Sequence, residues 1–156
     1  MRLISYIFAT GFGSGYSPFA PGTAGALLFM VIAGWWLPTI AIGYQIGFCV
    51  ILFAISVYSS DVVEKDLIKK VGEEKGHDAG MIVIDEMIGV ALALVAIPVS
   101  PYTLAAAFIL FRVFDITKPF PINRLQNLRG GWGITMDDVL AGIFANILIQ
   151  ISRFFL

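Results

Sequence analysis

The chain has 156 residues, of which 58% are hydrophobic and only 13% are charged. Soluble domains are roughly one quarter charged, and a chain this short cannot bury so much apolar surface, so lipid is its expected solvent. The formal net charge of −1 argues against a nucleic-acid partner, because such domains are usually basic. The length predicts a single domain over residues 1–156.

The first third of the chain is apolar, with no charged residue from Leu3 to Ser60. The short apolar stretch after Arg2 predicts a helix that lies on the membrane surface or dips into it. Ala24 to Leu37 is a second apolar run, which Pro38 stops. The run from Thr39 to about Ser60 is long enough to span a bilayer, which takes about 20 residues.

A glycine-rich segment, GFGSGYSPFAPGTAG over residues 11–25, separates the first two apolar stretches. Pro21 fits the first turn of the helix that follows. Free backbone N–H groups at such a helix start favour an anion, and Ser14, Ser17 and Thr23 add hydroxyls, so the segment is a candidate phosphate cradle. The alternative is a plain flexible loop leading into a helix.

Residues 61–80 form the first polar stretch. Asp61, Glu64, Lys65 and Asp66 are expected on a solvated helix. His77 lies in a glycine-flanked loop, and a lone loop histidine is more often solvated than catalytic.

The next uncharged segment, Met87 to Phe111, is interrupted by Pro98 and Pro101. A kinked single crossing would place two basic clusters on opposite sides of the membrane. A helical hairpin over about residues 87–117 places both clusters on one side, which the positive-inside bias favours. The clusters are Lys65, Lys69, Lys70 and Lys75 before the segment, and Lys118, Arg124 and Arg129 after it. We therefore predict an all-α fold: a compact multi-helix membrane bundle of short tilted or partly crossing helices, with its polar clusters at the cytoplasmic face.

Two pairs of adjacent acids precede apolar runs: Asp85 with Glu86, and Asp137 with Asp138. Acids in a first turn complement the helix dipole, and Thr135 with Asp138 approximates a capping box, so a structural role is one interpretation. Adjacent carboxylates at a membrane boundary are costly without a partner, and hard cations bind carboxylates together with phosphate oxygens. Two such pairs at helix starts favour a divalent metal site.

The sequence FRVFDITKPFPI, from Phe111 to Ile122, places Arg112, Asp115 and Lys118 on one helical face. Arginine offers a forked donor that matches phosphate, and lysine offers a point charge. The alternative is an internal ion pair at a helix end, Arg112–Asp115 or Asp115–Lys118.

Four motifs stand in the order seen in the phosphatidylglycerophosphatase A family, which the chain resembles from about Gly11 to Gly142: GSGYSPFAPGTAG, IDEMIG, FRVFDITKPFPI and GITMDDVLAG. The resemblance implies a helical, multi-pass protein of the bacterial inner membrane. It also implies an Mg²⁺-dependent phosphatase that removes the terminal phosphate of phosphatidylglycerophosphate during phosphatidylglycerol synthesis.

The resemblance and the residue chemistry together predict the site. Arg112 and Lys118 would bind the phosphomonoester, with Ser14, Ser17 and Thr23 assisting from the glycine-rich segment. The metal ligands would be Asp85, Glu86, Asp137 and Asp138. Asp115 would join the metal site or orient the attacking water, and Asp85 and Asp138 are further catalytic candidates.

Other phosphatase chemistries lack their residues here. Ile55 stands six positions after Cys49, where a cysteine phosphatase needs arginine, and no two aspartates are two positions apart. Metal-assisted hydrolysis remains. A small transporter or scaffold is the alternative from another class, and phosphatidic acid is an alternative substrate. A transporter would place ionisable groups along a path near the midplane, whereas these groups collect at segment ends.

Overall fold

A computed structural model describes residues 2–72, 80–153 and 155 of the chain. This part is helical and contains no strand, which confirms the all-α prediction. The α-helices are α1 (Arg2–Ala9), α2 (Pro21–Ala33), α3 (Ile42–Val71), α4 (Ile84–Ala93), α5 (Pro101–Thr117), α6 (Ile122–Leu125) and α7 (Gly131–Ser152). Short 3₁₀ turns cover Ser14–Tyr16 and Leu37–Thr39. The predictions made for Lys75 and His77 fall outside the described residues.

Within the described part of the chain, helices α3 and α7 are the two that are long and apolar enough to cross a membrane, over Ile42–Lys70 and Gly131–Ser152. Helix α3 continues past the apolar run that ends near Ser60 and reaches Val71, so Asp61, Glu64, Lys65 and Asp66 are helical as predicted. Glu64 and Asp66 are buried rather than solvated. Asp66 accepts a hydrogen bond of 2.8 Å from the Tyr6 hydroxyl of α1 and pairs with Lys70 at 2.7 Å. Docking of α1 therefore covers the polar end of α3.

Helix α4 lies at the centre of the bundle, with seven of its ten residues buried. The chain turns after it at Pro98, and Ser100 caps α5 by accepting a hydrogen bond of 3.1 Å from the Thr103 amide. Arg112, near the end of α5, returns to within 3.8 Å of Glu86 at the start of α4. The two helices are therefore antiparallel, and the predicted proline-broken hairpin is confirmed.

The carboxyl end of α4 is buried among helices and would leave backbone carbonyls unpaired. Side chains of the long helices pair them instead. The Asn146 amide of α7 donates to three carbonyl oxygens, those of Leu92 and Ala93 at 3.1 Å each and Val95 at 2.7 Å. Gln150 donates to the carbonyl of Ala96 at 3.3 Å. The backbone amide of Ala96 donates to the side-chain oxygen of Gln45 of α3 at 2.8 Å. A ten-residue helix rises only about 15 Å, so α4 ends inside the bundle.

Helices α4 and α7 approach each other closely through two glycines. A Cβ atom at Gly142 would lie 2.2 Å from the carbonyl oxygen of Gly89. A Cβ atom at Gly89 would lie 2.2 Å from the Phe111 ring of α5. This close packing brings the acidic start of α4 against the acids of α7.

Candidate active site

Three carboxylates from two helices meet at one end of the bundle. Asp85 and Glu86 lie in the first turn of α4, and Asp138 projects from α7. One carboxylate oxygen from each residue lies within 4.8 Å of the others. Asp138 is 3% exposed, and the side chains of Asp85 and Glu86 are half-buried.

The capping interpretation of Asp137 and Asp138 was wrong. Helix α7 begins at Gly131, eight residues before the predicted run from Val139, so both acids lie inside the helix rather than at its start. The Thr135 hydroxyl, expected in a capping box, instead shares a buried hydrogen bond of 2.8 Å with Ser56 of α3. The dipole of α7 therefore does not account for this acid pair.

Oxygen atoms of the acid residues lack hydrogen-bond partners among the described residues. They are Asp85 Oδ1, Glu86 Oε2 and Asp137 Oδ1, all buried. Burial raises the pKa of Asp85 well above its ordinary value, and the neighbouring charge of Glu86 adds to the effect. Burial likewise raises the pKa of Glu86. Asp85 and Glu86 thus each carry a buried oxygen without a hydrogen-bond partner, and one carboxylate oxygen from each of Asp85, Glu86 and Asp138 lies within 4.8 Å of the others. Carboxylate oxygens this close together are the donor set that a hard divalent cation requires, so these three residues fit a metal ion.

Arg112 and Lys118 flank the three carboxylates. Arg112 pairs with Asp115 at 2.6 Å, as the ion-pair alternative predicted, and also reaches Glu86. Lys118 pairs with Asp137 at 2.5 Å rather than with Asp115. Burial lowers the Lys118 pKa, but the hydrogen bond and charge of Asp137 outweigh burial, so the net pKa is raised. Both cations are therefore held in place by carboxylates beside the group of three.

Lys118 ends α5 in the left-handed conformation, with φ of 41°. This backbone conformation is uncommon for a residue with a side chain and is found at functional sites. The Lys118 side chain reaches across the bundle to Asp137 of α7. Helix α5 ends at Thr117, two residues before Pro119.

The glycine-rich segment reaches the carboxylates through its backbone. Pro21 begins α2, as predicted. A Cβ atom at Gly22 would lie 1.9 Å from Glu86 Oε1 and 3.5 Å from Arg112 Nη1, so a side chain there would displace the Glu86 carboxylate. Ser14 and Ser17 donate hydrogen bonds of 2.9 Å to backbone carbonyls of their own segment. Thr23 lies in the first turn of α2. The roles proposed for these three hydroxyls remain predictions.

A polar cavity of about 1150 Å³ adjoins the carboxylates. Asp85, Asp137 and Lys118 line one side of it. Lys65 from the first basic cluster and Arg129 from the second also line it, so the two clusters share one end of the molecule, as the hairpin predicted. The segment from 126 to 130 was not predicted to belong to the site, although Arg129 was named in the second basic cluster. It lines the cavity with Gln126, Asn127, Leu128, Arg129 and Gly130. Its polar composition between two helices was the available signal.

Comparison with known proteins identifies the family. The family described as phosphatidylglycerophosphatase A matches residues 7–153, which include every candidate site residue. The chain belongs to the phosphatidylglycerophosphatase A family. No solved structure matches the chain.

Relatives of this phosphatidylglycerophosphatase A family member carry two kinds of name. Phosphatidylglycerophosphatase A of Escherichia coli is 39% identical, covering 95% of this chain and 83% of the relative. The Haemophilus influenzae protein of the same name is 40% identical, covering 92% and 85%. A Bacteroides thetaiotaomicron protein, provisionally named phosphatidylinositol-3-phosphatase, is 41% identical, covering 94% and 92%. Each of these names describes a phospholipid phosphomonoester as the substrate.

Proposed function

We propose that this protein is a single-domain integral membrane phosphatase. It hydrolyses the terminal phosphomonoester of phosphatidylglycerophosphate to phosphatidylglycerol and phosphate, as a step of phospholipid biosynthesis. The observation that carries the proposal is the group of Asp85, Glu86 and Asp138 between Arg112 and Lys118. In this group Asp85 and Glu86 each have a buried oxygen without a hydrogen-bond partner. The names of the Escherichia coli and Haemophilus influenzae relatives support the choice of substrate.

Asp85, Glu86 and Asp138 would hold a divalent cation, which we propose to be Mg²⁺. When bound, the cation supplies positive charge that offsets the charge of the phosphomonoester. Asp137, the fourth predicted metal ligand, is paired with Lys118. We therefore assign to Asp137 the positioning of the Lys118 ammonium group. Magnesium uses few protein carboxylates and takes further oxygens from substrate phosphate, which suits a group of three.

The phosphate is bound by the side chains that surround this group. Arg112 presents a forked donor to two phosphate oxygens, and Lys118 presents a third positive contact. Because each already pairs with a carboxylate, the cations are oriented before substrate arrives. Asp115 orients the attacking water and accepts its proton. The water oxygen forms a bond to phosphorus and the ester P–O bond breaks. The released glycerol oxygen takes up a proton from solvent, to which Asp115 returns the proton that it accepted.

The membrane arrangement follows from the fold. Helices α3 and α7 span the bilayer and the α4–α5 hairpin packs between them, giving a multi-pass protein of the bacterial inner membrane with the site at the cytoplasmic face. The two basic clusters share one end of the molecule, in keeping with the positive-inside bias. The test labels Lys70→Cys and Arg124→Cys, each in a Cys49→Ala background, with an impermeant reagent outside the cell. Both should be protected until the membrane is permeabilised, and labelling of one alone refutes this topology.

A second lipid phosphomonoester deserves a direct comparison. The Bacteroides thetaiotaomicron relative carries the name of an inositol lipid phosphatase, and the polar cavity of about 1150 Å³ has room for a headgroup larger than glycerol. Phosphatidylinositol 3-phosphate is therefore one competing substrate, and phosphatidic acid, the alternative substrate named from the sequence, is the other.

The transporter or scaffold alternative is disfavoured because the ionisable groups collect at one end of the helices.

Phosphate release by the purified chain in detergent tests the function. Phosphatidylglycerophosphate should be hydrolysed with a higher kcat/KM than the two competing lipids, in Mg²⁺ but not in excess chelator. Asp85→Asn should lower kcat by about a hundredfold or more. Asp66→Asn is the matched control, since its buried carboxylate pairs with Lys70 and Tyr6 instead. Full activity in chelator would refute the metal assignment, and preference for another lipid would refute the substrate.

A further inference from the structure

An apolar groove runs down the bundle on the membrane side of the carboxylates. It encloses about 410 Å³ between three helices. Its walls include Ile46 and Val50 of α3, Ile88 and Leu92 of α4, and Val139 and Ile143 of α7. None of these residues has a part in the chemistry proposed above, so the groove needs its own explanation.

The groove is adjacent to the carboxylate group along both helices that carry it. Ile88 follows Asp85 by three residues, and Val139 directly follows Asp138. Two of its walls belong to the candidate membrane spans. Val50 is 62% exposed on the outside of the bundle, so the groove opens sideways, where a span faces lipid.

The lining favours a hydrocarbon over a polar ligand. Asn146 is the one amide in the groove wall among the described residues, and its nitrogen already donates to the carbonyls of Leu92, Ala93 and Val95. Cys49, which also lines the groove, is buried and behaves as a small apolar side chain. A headgroup placed here would lose its hydration without gaining partners.

The length of the groove matches one leaflet of a bilayer. Its α7 wall extends from Met136 to Asn146, ten helical steps that rise about 15 Å. The hydrocarbon core of a bilayer is about 30 Å thick, so each leaflet contributes about half of that. The groove is therefore as deep as one extended acyl chain that starts at the membrane surface.

We infer that this groove binds one acyl chain of the phospholipid substrate while its phosphomonoester lies at the carboxylates. This inference rests on the proposed function, because it takes the substrate to be a lipid. It assigns to the groove the selection of a membrane-anchored phosphomonoester over a soluble one of the same headgroup. The bound chain would also fix how far the headgroup rises above the membrane.

The test compares phosphatidylglycerophosphate with long and with six-carbon acyl chains in detergent. Ile143→Trp fills the groove. Ile147→Trp is the control, because it makes the same change one turn along α7, outside the groove lining. The two positions are similarly exposed, Ile143 by 37% and Ile147 by 47%. Ile143→Trp should raise the ratio of the long-chain KM to the short-chain KM by about tenfold. Ile147→Trp should leave that ratio at the wild-type value. An unchanged ratio in Ile143→Trp overturns the groove assignment.

A second measurement does not depend on a variant that folds. A long-chain phosphatidylglycerophosphate with a diazirine on one acyl chain is photolysed with wild-type protein in excess chelator, and the labelled peptides are mapped. Label should lie on the α3 and α7 walls and be displaced by unlabelled substrate but not by phosphatidylcholine. Equal displacement by phosphatidylcholine overturns the assignment. If wild-type protein hydrolyses neither chain length, the proposed function fails and the groove assignment with it, whereas hydrolysis with an unchanged ratio removes the groove alone.

Discussion

Substitution of Asp138 by Asn should separate a cation-binding role from a structural one. The change keeps the shape of the side chain and removes one charge from a residue that is 3% exposed. No N-terminal cap is lost, because α7 begins seven residues earlier at Gly131. Without a cation the three carboxylates repel one another, so the variant should be at least as stable as the wild type in chelator.

The size of the effect follows from the geometry. Two charges at 4.8 Å, the limit for these oxygens, repel by about 3 kcal/mol at an effective dielectric constant of about 20. Protonation relieves part of this repulsion, since burial raises the pKa of Asp85 and Glu86. A net gain of about 1 kcal/mol would raise Tm by about 2–4 °C in a chain of this size. Mg²⁺ at about 100 times its Kd should stabilise the wild type by about 2.7 kcal/mol. The Asp138→Asn variant should lose most of this stabilisation by Mg²⁺.

Thermal unfolding in detergent, with chelator and with Mg²⁺, measures both quantities. Asp66→Asn provides the opposite pattern, because it weakens contacts with Tyr6 and Lys70 but leaves the carboxylate group intact. Its Tm should fall in chelator while the Mg²⁺ shift persists. A cation-binding role for Asp138 is refuted if Asp138→Asn melts several degrees below the wild type in chelator and Mg²⁺ raises its Tm as much as it raises that of the wild type.

Three further predictions concern the helices around the site. Asn146→Leu should lower the free energy of unfolding by about 1–3 kcal/mol, measured by thermal melting, because it leaves buried carbonyls of α4 unpaired. Gly142→Ala should cost about 1–3 kcal/mol in the same assay, since its Cβ would meet the Gly89 carbonyl. In chelator, Asp85 and Glu86 have folded-state pKa values above their unfolded values, so they stabilise the fold only while protonated. Their contribution to the free energy of unfolding should therefore decline as pH rises above about 4. Thermal melts across this pH range should show the decline in the wild type and not in the double variant Asp85→Asn/Glu86→Gln.

Local signals in the sequence predicted the elements whose limits are set locally. Pro98 and Pro101 marked the hairpin turn, and Pro21 marked the start of α2. The start of α7 depends instead on tertiary packing. A Cβ atom at Gly131 would lie 1.9 Å from the carbonyl oxygen of Val57 in α3, so the glycines that look like a loop in sequence permit close helix packing. No pattern within the segment itself carries that information.

The candidate site shows the same division. The paired acids indicated a cation, and Asp85, Glu86 and Asp138 do lie together, although Asp138 lies inside α7 rather than at its start. Which charges pair was not predictable, because Lys118 reaches Asp137 across 19 positions in sequence. The spacing of three on α5 suggested a shared face for Arg112, Asp115 and Lys118, but Lys118 lies just past the end of the helix and pairs with Asp137 of α7. Long-range pairing of this kind depends on how helices pack.

The hydrogen bonds at the end of α4 constrain the order in which the protein can be assembled. The Ala93 carbonyl is paired by an amide that lies 53 residues later in the chain. At about 5–20 residues per second, synthesis takes about 3–10 s to supply that partner. During this interval the nascent α4 has unpaired carbonyls in an apolar environment. A chain that ends before Asn146, as from a truncated message, therefore lacks this amide and presents unpaired carbonyls of α4 to membrane quality-control proteases.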